Sequence, residues 1–174
     1  MVRFSVLTLS DRSWSGARED RSGPLVRETL EHVLDGACIE ASVLPDDREI
    51  LRRTLLELCD NRKCDLIVTT GGTGIADRDV TPEATRDVIE REIPGMSEAT
   101  RFIGLQKTPH AMLSRGVCGT RGKTLIVNLP GSPNAIADQL DLLIPAIRHV
   151  LDLLAGEKGA CDTHSEFLAD TKSE

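Results

Sequence analysis

Along this chain, short aliphatic runs alternate with stretches whose apolar residues recur every three or four positions, and that alternation sets the expected elements. Val2–Leu9 reads as a first strand ending at Ser10 and Asp11. Residues 12–23 are polar and include Gly16 and Gly23; so long a connection marks a functional lid. A helix is predicted from Pro24, with Leu25, Val26, Leu30, Val33 and Leu34 at helical spacing. Ile39, Ala41 and Val43 alternate as a second strand that runs into Pro45, Asp46 and Asp47. Ile50, Leu51, Thr54, Leu55 and Leu58 share one face of the next helix, and Leu66–Thr70 is a buried aliphatic strand.

Glycines at 71, 72 and 74 follow that strand, then a helix predicted over 82–91. Pro94-Gly95 breaks it before a helical stretch over 97–105. A short strand is predicted over 113–117 and a clear one over 123–129, running into Pro130, Gly131 and Ser132. The last helix is expected to be split by Pro145, and residues 157–174 read as a polar, disordered tail after a single domain over 1–156. Strands alternating with helices imply an α/β three-layer sandwich, a mostly parallel sheet with helices on both faces. Ligands bind beyond the carboxyl ends of such strands. Ser10 and Asp11, Asp46, the glycines at 71–74 and the turn at 130–132 all follow predicted strands, so one rim gathers them as the expected site.

Composition narrows the chemistry. At 174 residues and 40% hydrophobic, the chain suits one domain with a proper core. Aromatics are only 2%, with no Tyr and one Trp, so the core must be aliphatic and stacking platforms for single-stranded nucleic acid are disfavoured. A net charge of −7 offers no bulk basic surface, so any phosphate binding is local and nucleic acid is not an expected partner. Five cysteines, odd in number and without a C-x-x-C pair, fit reduced thiols in the cytoplasm. Cys161 and His164 could be half a zinc site, but no second half exists. No run approaches the roughly 18 apolar residues of a spanning helix.

A strand entering a glycine-rich turn lets backbone N–H groups grip a phosphate. A carboxylate just beyond can hold Mg²⁺, whose ligands are oxygens. The segment from Thr70 to Asp79 has both features and points to a nucleotide or phosphorylated cofactor. Each candidate also has a plainer role. Asp46-Asp47-Arg48-Glu49 matches a capping box, and Asp79 is an ordinary turn residue. Arg78 contacts phosphate or pairs with Asp77 or Asp79; Ser114 and Arg115 hold an anionic ligand or form a plain strand edge. Arg121-Gly-Lys-Thr124 looks like the end of a Walker A loop but precedes a strand, and reads as a turn with exposed charges. His32, His110, His149 and His164 are scattered, and no Ser/His/Asp or Cys/His set is legible.

Thr70-Gly-Gly-Thr-Gly74 followed by Arg78-Asp-Val-Thr-Pro-Glu-Ala84 resembles the signature of the molybdopterin adenylyltransferase (Mog-like) family, which includes the G domain of gephyrin. Leu9-Ser-Asp11, Glu19-Asp-Arg-Ser-Gly23, Pro45-Asp46, Pro94-Gly-Met96, Met112-Leu-Ser-Arg115 and Asn128-Leu-Pro-Gly-Ser132 extend the match over residues 4 to about 155. The resemblance implies a Mog-like fold, a homotrimer, and transfer of AMP from Mg·ATP to the phosphate of molybdopterin. The product would pass to a molybdenum-insertion enzyme. It also implies that Asp46 and Asp79 are catalytic and hold Mg²⁺. Ser10, Asp11, Thr70, Gly71, Gly72, Thr73, Gly74, Arg78, Ser114, Arg115, Asn128, Pro130, Gly131 and Ser132 are the expected contacts to ATP and molybdopterin. A binding-only or scaffold member of the same family is the alternative. Nucleotide pyrophosphatases and molybdenum-insertion enzymes resemble the domain too, but their glycine turns read differently.

Overall fold

A computed structural model describes residues 1–156; the expected polar tail, with Cys161 and His164, lies outside them. Six strands form one sheet in the order β2-β1-β3-β6-β5-β4. β1 (Val2–Leu9), β2 (Gly36–Leu44), β3 (Leu66–Thr70) and β6 (Thr124–Leu129) run parallel. β5 (Cys118–Arg121) lies antiparallel to both β6 and β4 (Arg91–Glu92).

Successive strand side chains point to opposite faces, and the two cores follow that period. Leu66 and Val68 of β3, with Leu125, Val127 and Leu129 of β6, face α2 (Ser22–Val33), α5 (Pro94–Leu105) and α6 (Pro133–Ala155). Ile67 and Ile126 face the other way, against Leu51 and Leu55 of α3 (Arg48–Leu56) and Ala84 of α4 (Thr81–Arg86). This is the expected three-layer α/β sandwich, with β3 and β6 buried on both faces. Burying one Leu or Ile this way contributes about 1.5–3 kcal/mol, which makes the central strands the rigid part of the molecule.

Several elements differ from the sequence reading. The lid region contains a short helix, α1 (Asp11–Trp14), and α2 starts two residues before Pro24. α4 stops at Arg86 instead of reaching 91, where β4 begins. Pro94 starts α5 instead of breaking a helix, because its missing N–H costs nothing at a first turn. The strand expected over 113–117 is β5 at 118–121, because Pro109 opens a 3₁₀ turn through Leu113. α6 runs unbroken through Pro145, whose side chain is exposed. Arg121 pairs with Thr124 across a hairpin whose first loop residue, Gly122, has φ +54°, so the Walker-like stretch is a turn. Among the described residues, no helix is long and apolar enough to cross a membrane.

Candidate functional site

Parallel strands bring their carboxyl ends to one edge, and there the turns after β1, β2, β3 and β6 converge. Between them lies a cavity of about 480 Å³, lined by the turn at Ser10 and Asp11, the lid region, Asp46, residues 70–74, Asp79 and Gly131.

The glycine turn is held open by its backbone. Gly71 has φ +92°, and a Cβ there would stand 2.3 Å from the Leu9 carbonyl oxygen. Gly72 has φ +61°, with its Cβ position 2.4 Å from Thr81 Oγ1. Every carbonyl from 71 to 74 accepts from the protein: Gly71 from the Thr81 hydroxyl, Gly72 from Thr81 N–H, Thr73 from Arg115 N–H, and Gly74 from Arg115 Nε. Among the described residues no acceptor takes the N–H groups of Gly72, Thr73 and Gly74, which line the cavity. A turn with its acceptors used and its donors free can bind an anion.

Two carboxylates flank that turn. Asp46 Oδ1 lies 3.3 Å from the Gly72 Cβ position and Asp79 Oδ2 lies 2.7 Å from that of Gly74. Asp46 is not the cap of α3: Asp47 accepts from Glu49 and Ile50 N–H at 3.0 and 2.9 Å and leaves Asp46 free for the rim. Instead, Asp46 Oδ2 accepts from Asp11 N–H at 2.9 Å, and Asp46 N–H donates to Asp11 Oδ1 at 3.0 Å. Burial pushes the Asp46 carboxyl above its ordinary pKa, and the charges of Asp11 and Asp79 push it the same way. Asp79 accepts from Ala76 N–H at 2.9 Å. Arg78 pairs with neither Asp77 nor Asp79; it forks onto Asp11 at 2.8 and 3.0 Å and holds that carboxyl below the usual range.

Other expected contacts serve the frame. Asn128 is buried, donating to Thr69 and Thr85 hydroxyls and accepting from Val117 N–H. Arg115 grips the glycine turn from behind through Gly74 and Asp79 carbonyls at 2.6 Å each, and pairs with Glu83. Ser10 caps α1, and the Thr70 hydroxyl donates to Pro130 O at 2.8 Å. Ser114, Pro130 and Ser132 border a second cavity of about 610 Å³ under α5 and α6, which shares Thr73 and Gly74 with the first.

The sequence reading missed residues on both sides. Asp20 accepts from Thr8 Oγ1 at 2.7 Å and from Ser22 and Gly23 N–H, tying the lid region to β1. Ser22 in turn donates to Gly131 O at 2.8 Å. The motif at 19–23 was the available signal. Arg101, Lys107, His110 and Gln139 line the second cavity, and the buried Gln139 Oε1 has no hydrogen-bond partner. Those four lie outside any legible motif.

Among the described residues, no thiol lines either of these two cavities. Burial pushes Cys59 to about 11 and Cys118 to about 12, and raises Cys64. Among the described residues, no cluster of three or more His, Cys, Asp or Glu could hold a metal.

Comparison with known proteins gives the family. Residues 5–149 match the family described as "Probable molybdopterin binding domain". The chain is 42% identical over 156 residues to a molybdopterin adenylyltransferase of Helicobacter pylori, covering 89% of each. A relative of the same name from Escherichia coli is 43% identical over 141 residues, 80% of this chain and 72% of that one. The crystal structure of the molybdopterin biosynthesis enzyme MoaB from Thermus thermophilus superposes with a TM-score of 0.84 at 43% identity, over 90% of this chain and 98% of that one. On sequence and fold together, the chain belongs to the molybdopterin-binding domain family of molybdenum cofactor biosynthesis.

Proposed function

We propose that this protein is a molybdopterin adenylyltransferase, transferring AMP from Mg·ATP to the phosphate of molybdopterin and releasing pyrophosphate. One observation carries the reading: an anion-ready glycine turn, flanked by Asp46 and Asp79, lies where two cavities meet. A transfer between two phosphate-bearing substrates needs such a junction. The relatives named for this activity support it.

An oxygen of the molybdopterin phosphate attacks the α-phosphorus of ATP, and the bond from that phosphorus to the β-bridging oxygen breaks. The acceptor is already nucleophilic, so no protein nucleophile is needed, and catalysis reduces to positioning and charge neutralisation. The N–H groups of residues 72–74 hold phosphate oxygens, and Arg115 keeps that turn rigid. Two carboxylates without a third protein ligand suit Mg²⁺, which keeps waters and takes substrate phosphates as further ligands. Asp46, crowded by two neighbouring carboxylates, gains most from a cation. When bound, Mg²⁺ supplies Lewis-acid neutralisation of the triphosphate.

The reading extends to a cytoplasmic homotrimer that hands its product to a molybdenum-insertion enzyme. Exposed Phe102 and Leu105 of α5, with Met112 and Leu113, provide an apolar surface for self-association. Asp79→Asn tests the assignment: it should bind molybdopterin and lose turnover. Lost pterin binding in a folded variant would make Asp79 a binding residue instead.

A further inference from the structure

Asp11 ties three strand-end turns together. Its carboxylate accepts Asp46 N–H at 3.0 Å, and its own N–H donates to Asp46 Oδ2 at 2.9 Å, joining the turns after β1 and β2. Arg78, from the segment after β3, places Nε and Nη2 on the same carboxylate at 3.0 and 2.8 Å. We propose that Asp11 is a positioning residue which fixes the Asp46 turn and parks Arg78 at the cavity edge, and that Arg78 leaves it for the triphosphate of an incoming nucleotide. This deepens the adenylyltransferase reading and rests on it.

Charge in the cavity favours the exchange. Its lining carries five carboxylates, Asp11, Glu19, Asp20, Asp46 and Asp79, against three arginines. A polyanion entering there meets a deficit of positive charge. Arg78 is the guanidinium within reach of Asp11, yet it stands outside the lining.

The parking contact is also easy to give up. Arg78 and Asp11 side chains are 63% and 43% exposed, and water screens such a pair strongly. A guanidinium fork on phosphate makes the same two charge-assisted bonds to a more highly charged partner. While parked, Arg78 offsets the repulsion between the Asp11 and Asp46 carboxylates, which hold each other's turns. The Asp11–Asp46 hydrogen bonds use backbone donors and survive the departure of Arg78.

The test is calorimetric titration of inorganic tripolyphosphate and of Mg·ATP into wild type, Asp11→Asn, Arg78→Gln and the double variant, with thermal unfolding as the folding control. Asparagine keeps an acceptor for Asp46 N–H but loses the charge that parks Arg78. Arg78→Gln should weaken tripolyphosphate binding about tenfold, and Asp11→Asn should tighten it severalfold. In the Arg78→Gln background, Asp11→Asn should change affinity less than about twofold, because there is no arginine left to release. Equal tightening in both backgrounds would reduce Asp11 to a general negative charge and overturn the proposal. Weaker binding by Asp11→Asn would make Asp11 a ligand contact and overturn it as well. Should Asp11→Asn not fold, Arg78→Gln decides alone, and unchanged affinity sinks the idea. Wild-type protein that binds neither probe overturns the adenylyltransferase reading itself.

Discussion

At Gly71 the backbone stands at φ +92° with a carbonyl 2.3 Å from where a Cβ would sit. Gly71→Ala is therefore expected to cost about 2–3 kcal/mol of unfolding free energy in a urea titration, through strain and displacement of the β1 end. Asp46 has the opposite sign. Burial raises its pKa in the folded state above 3.8, so the folded chain holds that proton more tightly than the unfolded one. Its contribution to stability is present below pH 3.8 and is lost as pH rises through the higher folded value. Asp46→Asn escapes that loss. It should unfold at a higher temperature than wild type at pH 7, and the gain should vanish as pH falls below 3.8. An unchanged midpoint at pH 7 would mean that the site stores no uncompensated charge. Asp46 and Asp79 were legible in the sequence because each follows a strand on one rim. Asn128 and Arg115 were expected as ligand contacts, and neither lines either of the two cavities. Only the contacts show that one is consumed inside the sheet and the other braces the glycine turn.

Among elements, the alternating aliphatic strands were read correctly wherever both faces are buried, as in β3 and β6, since nothing competes with packing there. Errors gathered at prolines. Pro94 and Pro109 open helical turns, and Pro145 sits inside one, because a lone proline pattern does not say whether its missing N–H falls at a first turn or an interior. Packing of Leu140, Leu143, Ile147 and Leu151 against the sheet holds α6 together across the defect. Pro145 is exposed, so Pro145→Ala should restore a helical hydrogen bond without disturbing the core. The expected gain is about 1–2 kcal/mol, net of the greater freedom of the unfolded chain. Loss of stability in the same urea titration would mean that the helix needs a bend at this point. The connection over 12–23 stood out by its length alone, and it does line the cavity; its anchoring through Asp20 and Ser22 was not legible, because both residues are equally at home in a solvated loop.

At the scale of the whole molecule, the parallel order of β2, β1, β3 and β6 brings four turns to one edge, and that topology was implied by strand–helix alternation. The second cavity was not, because it lies between α5 and α6 packing and no local motif reports it. Phe102 and Met112 are 67% and 61% exposed, and the proposed trimer would cover them. Light scattering should accordingly give a mass three times that of the 18.9 kDa chain. A monomer at micromolar concentration would contradict the trimer. The central claim is the chemistry at the glycine turn, and Mg·ATP-dependent conversion of molybdopterin to its adenylylated form, with Asp79→Asn beside the wild type, tests it most directly. Adenylyl-molybdopterin and pyrophosphate should appear in equal amounts with the wild type and be absent with the variant. Molybdopterin bound by the wild type but left unconverted would contradict the account and leave a binding member of the family.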